Sequence, residues 1–174
     1  MKLTSTLPYL LAAVAALAGC SKSEPTSAPA ASAPAASAPQ ATPAPAAAAR
    51  VVTIEANDAM KFTVVRIEAS PGEELKVVLK NAGTLPKEAM GHNWVLLKKG
   101  TDVMAFSTTA MQAKATDYIP AALAGQVIAH TKLLGPKQSD EVTFKAPTEP
   151  GEYTYICSFP AHAMAGMKGV LVVK

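Results

Sequence analysis

From Val51 onward the chain breaks into short runs of β-branched, aliphatic and aromatic residues set between Gly, Pro, Asn and Asp. Residues 51–55, 62–68, 75–80 and 93–97 make a first group, and residues 127–129, 141–145, 153–157 and 169–173 a second. Runs of this length, bounded by turn formers, predict strands. Along Leu75-Lys76-Val77-Val78-Leu79-Lys80 the apolar positions mostly alternate with lysine, which predicts one buried face, and Ser70-Pro71-Gly72 supplies the turn before it. Many short strands joined by turns predict an all-β domain, a sandwich or a barrel.

Between the two groups, residues 101–124 lose the period of two and carry Met104, Met111, Tyr118 and Ile119 among polar residues. This stretch is expected to form a helical flap outside the sandwich. Trp94 is the one tryptophan, and alternation within Asn93-Trp94-Val95-Leu96 points its ring toward the core as a packing residue.

The first fifty residues follow a different pattern. Lys2 precedes an apolar stretch from Leu7 to Leu17 and then small residues, the layout of a secretory signal and too short for a membrane span. The stretch ends Leu17-Ala18-Gly19-Cys20, which resembles a bacterial lipoprotein signal, so residues 1–19 are expected to be removed and Cys20 lipidated. Residues 21–49 are almost entirely Ala, Pro and Ser. Such a segment builds no core, and residues 20–49 are expected to tether a domain over residues 50–174. At ~3 Å per residue for extended polyproline, the tether would reach at most about 90 Å.

Composition changes this picture little. The 49% hydrophobic content of the 174 residues is inflated by the alanine of the tether, and a net charge of +3 gives no basic excess suited to nucleic acid. Cysteine usage says more. Of two cysteines, one falls on the processing site, and if it carries lipid no internal disulfide forms. Cys157 is then a lone thiol in an oxidising compartment, where it needs burial or a partner such as a metal.

Around Cys157 the sequence reads Cys157-Ser158-Phe159-Pro160-Ala161-His162-Ala163-Met164-Ala165-Gly166-Met167, so a thiol, an imidazole and a thioether share one loop between two expected strands. With His92 upstream, the set becomes two His, one Cys and one Met. That is the donor set of blue-copper electron-transfer sites, where thiolate favours Cu(I) and imidazole suits both oxidation states. Spacing supports the C-terminal cluster but does not by itself bring His92 to it.

Met90-Gly91-His92-Asn93-Trp94-Val95-Leu96 resembles the first copper-ligand segment of azurins, and Cys157-Ser158-Phe159-Pro160-Ala161-His162 followed by Met167-Lys168-Gly169 resembles the second. Residues 127–135 and 141–144 resemble azurin strands in the same order. The resemblance covers residues 50–174 and implies the eight-stranded Greek-key cupredoxin fold with an inserted helical flap. It implies one copper ion per chain held by His92, His162, the Cys157 thiolate and, as weak axial ligand, Met167. It further implies a Gly91 carbonyl oxygen facing the metal and an Asn93 side chain that hydrogen-bonds across to the cysteine loop.

Three departures from the azurin pattern stand out. Met167 lies five positions after His162 where azurins place the axial methionine four after, a spacing like that of auracyanins and plastocyanins, with Gly166 at the azurin position and Met164 as the alternative axial ligand. Ala161 stands where azurins usually have glycine. The cysteines of the usual N-terminal disulfide are absent. His130 is expected at the surface, away from the metal, whereas Met90, Phe159, Pro160 and Ala161 flank the ligand loops and are expected to surround the edge of His162 as a small docking patch.

The reading is a one-electron carrier cycling Cu(I) and Cu(II), not an enzyme turning over a substrate, expected to be monomeric. Its expected partners are transient redox proteins such as cytochromes, and the membrane through lipid on Cys20. It is expected at the outer membrane of the bacterial envelope with the domain in the periplasm, exposure at the cell surface being the alternative. Two other classes are a copper-sequestering envelope lipoprotein without a redox partner and a surface interaction protein that uses the domain as a scaffold.

Overall fold

The computed structural model describes residues 48–174. The expected signal peptide, Cys20 and nearly all of the tether lie outside the described residues. The elements in order are β1 (Arg50–Asn57), β2 (Lys61–Phe62), β3 (Arg66–Ala69), β4 (Glu74–Asn81), α1 (Lys87–Met90), β5 (Val95–Leu97), α2 (Val103–Ala110), β6 (Val127–His130), β7 (Ser139–Lys145), β8 (Gly151–Ile156) and β9 (Lys168–Val173). They build two sheets, one ordered β2-β1-β4-β7 and the other β3-β9-β8-β5-β6. Pairing is antiparallel except between β1 and β4 and between β3 and β9. This is the all-β sandwich expected from the sequence.

Alternation does what it promised in β4, where Leu75, Val77, Leu79 and Asn81 are buried and the residues between them are not. Ile54 and Ala56 of β1 join them from the same sheet, and Tyr153, Tyr155, Leu171 and Val173, which share one face of the other sheet, are buried as well. In β5, Val95, Leu96 and Leu97 are all buried, which is why that strand reads as a continuous apolar run. Trp94 is fully buried, its ring 5.7 Å from Phe144 and 5.4 Å from Tyr155.

The expected strand over residues 62–68 is in fact two. Phe62 is buried in β2, but the buried residues of β3 are Ile67 and Ala69, so the inward parity changes from even to odd. Because side chains alternate faces with period two, one continuous strand would expose one set. The chain instead crosses between sheets: the Thr63 N–H bonds the Glu55 carbonyl of β1, and the Val65 carbonyl accepts from Val170 of β9. The Tyr155 hydroxyl closes the crossing by donating to the Val64 carbonyl at 2.7 Å.

The flap is helical as expected. Asp102 caps α2 by accepting from the backbone N–H groups of Met104 and Ala105, and Phe106 and Ala110 bury into the core. Two 3-10 turns follow, at Lys114–Thr116 and Ala121–Gln126. No helix among the described residues is long and apolar enough to cross a membrane.

Candidate metal centre

Cys157 stands just past the end of β8 and Met167 just before β9, so the hairpin between those strands presents the whole ligand loop. The loop is held by its own backbone: the Cys157 N–H donates to the Met167 carbonyl at 3.1 Å, the Met167 N–H to the His162 carbonyl at 2.9 Å, and the His162 N–H to the Phe159 carbonyl at 3.1 Å. Ala161 takes a left-handed conformation at φ 69°, and Gly166 turns at φ 91°. Positive φ at Ala161 explains why glycine suits that position, and at Gly166 it shows how the extra residue before Met167 is accommodated.

His92 arrives from a different direction. It forms an isolated bridge with Leu134, donating to its carbonyl at 3.1 Å and accepting from its N–H at 2.8 Å. Gly91 ahead of it admits no side chain, since a Cβ there would come within 2.7 Å of the Lys87 carbonyl and 3.1 Å of the Leu133 side chain. That close approach follows from α1, a helix too short to leave a periodic signature in the sequence.

The two routes converge. Cys157 Sγ lies 3.4 Å from His162 Nδ1 and 3.9 Å from His92 Nδ1, and the donor atoms of these three buried residues all lie within 4.8 Å of one another. A metal bound by one sulfur at about 2.3 Å and two nitrogens at about 2.0–2.1 Å needs donors roughly 3.5–3.8 Å apart. The three side chains therefore fit a single ion. The Gly91 carbonyl oxygen is 4.0 Å from the same sulfur. His130 is exposed and hydrogen-bonds its neighbour's carbonyl, Thr131 O, at 3.1 Å, outside this group.

Comparison with known proteins places the arrangement. Residues 48–174 match the family described as copper binding proteins, plastocyanin/azurin family. The chain belongs to that family. It is 46% identical over 123 residues to an azurin of Achromobacter denitrificans, covering 68% of this chain and 80% of that one. It is 37% identical over 126 residues to an azurin of Pseudomonas fluorescens biotype C, covering 71% and 97%. Among solved structures, a reduced auracyanin from Roseiflexus castenholzii aligns at TM-score 0.64 and 35% identity over 74% of this chain and 99% of that one. Auracyanin A of Chloroflexus aurantiacus, a "blue" copper protein, aligns at TM-score 0.64 and 30% identity over 71% and 98%.

Copper is thus the metal of this plastocyanin/azurin-family centre, and burial sets the state of its donors. It lowers the pKa of both imidazoles, that of His162 to about 4, so both rings are neutral and able to ligate at neutral pH. It pushes the Cys157 thiol up to about 12, against the smaller opposing pull of the Asn93 and Phe159 backbone N–H groups. Without metal the thiol keeps its proton, and binding must release it. His92 Nε2 is buried without a hydrogen-bond partner, while the Asn57 carbonyl and the Asp58 carboxylate act on that ring to favour its protonated form.

Asn93 frames the donors from outside. Its Oδ1 accepts from the Ser158 N–H at 2.8 Å, and its Nδ2 donates to Ser158 Oγ at 2.8 Å and to the Asp117 carbonyl at 2.9 Å. Met167 is fully buried and Met164 is 44% exposed. The edge of His162 is scarcely open, at 2% exposure, because Phe159 packs 4.6 Å from its ring. Sequence reasoning missed the contribution of Asp117, which sits in the flap where no period or motif singles it out.

Proposed function

We propose that the chain is a lipid-anchored blue-copper electron carrier of the bacterial envelope, with His92, His162 and Cys157 as the principal ligands and Met167 as the weak axial one. The observation that carries this reading is the convergence of one thiol and two neutral imidazoles on a single buried point. Copper bound there supplies a one-electron Cu(I)/Cu(II) couple. The chain's own residues supply the rest: Cys157 gives up its proton, the hydrophobic surround excludes water, and the hydrogen-bonded frame holds the donors in one geometry for both oxidation states.

Met167 is favoured over Met164 because it is buried and its backbone is bonded to both Cys157 and His162, whereas Met164 faces solvent. The Gly91 carbonyl is the candidate for a weak contact from another direction. Exposed Ala161 and half-buried Pro160 and Met90 flank the ligand loops with Phe159. This small apolar surface suits brief docking of redox proteins such as cytochromes, for which contacts are typically small. Lipid on Cys20 would hold the protein at the outer membrane with residues 50–174 in the periplasm.

Visible and electron paramagnetic resonance spectra of the Cu(II)-loaded protein test the centre. An intense thiolate-to-copper band with narrow hyperfine splitting is expected, lost in Cys157→Ala, altered in Met167→Ala and unchanged in Met164→Ala. A pale spectrum from folded, fully loaded protein would remove the electron-carrier reading and put copper sequestration in its place.

A further inference from the structure

We infer that Asp117 and Tyr118, the corner at which the flap turns back toward the sandwich, position all three principal metal ligands; the inference rests on the copper-centre reading above. Both residues are left-handed, at φ 54° and 62°. Consecutive non-glycine residues hold that conformation only where their surroundings enforce it. Here the surroundings are the ligand-bearing segments themselves.

Three arms leave the corner. Asp117 Oδ2 accepts from the Leu133 N–H at 3.3 Å, and the next residue, Leu134, exchanges both of its backbone hydrogen bonds with His92. The Asp117 carbonyl accepts one Asn93 Nδ2 proton, and the other goes to Ser158, the residue after Cys157, so the amide donor is used in full between the flap and the cysteine loop. The Tyr118 ring stands edge-on to Phe159 at 5.1 Å, and Phe159 lies 4.6 Å from the ring of His162. Each ligand is therefore reached through one or two intermediate residues. Tyr118 is 6% exposed, so its ring is fixed by packing as well as by the backbone.

The Asp117 carboxylate also faces Lys87 Nζ at 3.7 Å, with both side chains about two-fifths exposed. An exposed pair of this kind contributes little, which makes Lys87 a control for charge alone. The hydrogen bonds and the ring contact carry the positioning. Outer contacts that orient metal ligands change affinity about 10- to 100-fold when removed.

The test uses the full chain loaded with Cu(II), compared with Asp117→Ala, Asp117→Gly, Tyr118→Leu and Lys87→Ala. Retention of Cu(II) against a chelator, copper hyperfine splitting and thermal unfolding of the metal-free protein are recorded. Cu(II) affinity is expected to fall about tenfold or more in both Asp117 variants. The hyperfine splitting should change in those variants and in Tyr118→Leu, with Lys87→Ala matching the unaltered chain. Asp117→Asn, which keeps an oxygen for the Leu133 N–H, should restore both readings. If Asp117→Gly does not fold, Asp117→Ala and Tyr118→Leu carry the test through the same readings. Lower thermal stability with unchanged affinity and splitting in those variants would make the corner a packing feature and overturn the inference. A failure of the copper reading is distinguishable, because the unaltered chain would then itself be pale.

Discussion

His162 shows how one residue's burial becomes a property of the protein. Its folded pKa of about 4 lies below the ordinary 6.5, so between those values the unfolded chain binds more protons than the folded one. Stability from this group is complete above about pH 6.5 and is lost as the pH falls toward 4. The loss in the metal-free protein should be on the order of 2–3 kcal/mol for His162, with His92 shifted in the same direction. Thermal melts from pH 8 to pH 4 check this, and His162→Gln should flatten the slope; an equal slope in that variant would show that other groups dominate. At this scale the sequence was informative about donor chemistry, because Cys, His and Met name their own possibilities. It was silent on Asp117, whose role joins a carboxylate oxygen on the Leu133 N–H to a backbone carbonyl and a left-handed φ that no motif announces.

Strands with a clean alternation, such as β4, were legible because one face meets the core along their whole length. The region around residues 62–68 was not, since its apolar residues satisfy two different sheets and only the pairing partners reveal the break. The fully buried Tyr155 locks that crossing with its hydroxyl on the Val64 carbonyl, and burial raises its pKa above the ordinary phenol value. Its ring also requires Gly169, where a Cβ would lie 2.3 Å away. Tyr155→Phe removes the hydrogen bond while keeping the ring, so unfolding free energy should fall by about 1–2 kcal/mol, as for a lost buried bond. Chemical denaturation measures this. The blue band should persist, because the hydroxyl points to the crossing rather than to Cys157; loss of the band would tie the crossing to the centre.

The whole domain has a polarity that individual elements do not display. Arg50, where the described sheet begins, pairs its guanidinium with Glu73 just before β4, and Glu68 and Lys174 pair near the same end. The other end of β1 is Asn57, whose carbonyl acts on His92. Seven strand steps of about 3.3 Å separate those ends by roughly 23 Å, so the chain enters the sandwich at the pole opposite the ligands. The proposed anchor, upstream of Arg50, would therefore act on the domain through the pole that carries none of the metal chemistry. It follows that Cys20→Ser should leave the absorption spectrum, copper affinity and melting temperature of the domain unchanged while moving the protein from the membrane fraction to the soluble one. Fractionation followed by spectroscopy on each fraction checks both halves. Unchanged membrane association would remove the lipid-anchor proposal, whereas an altered spectrum would contradict the separation of the two poles.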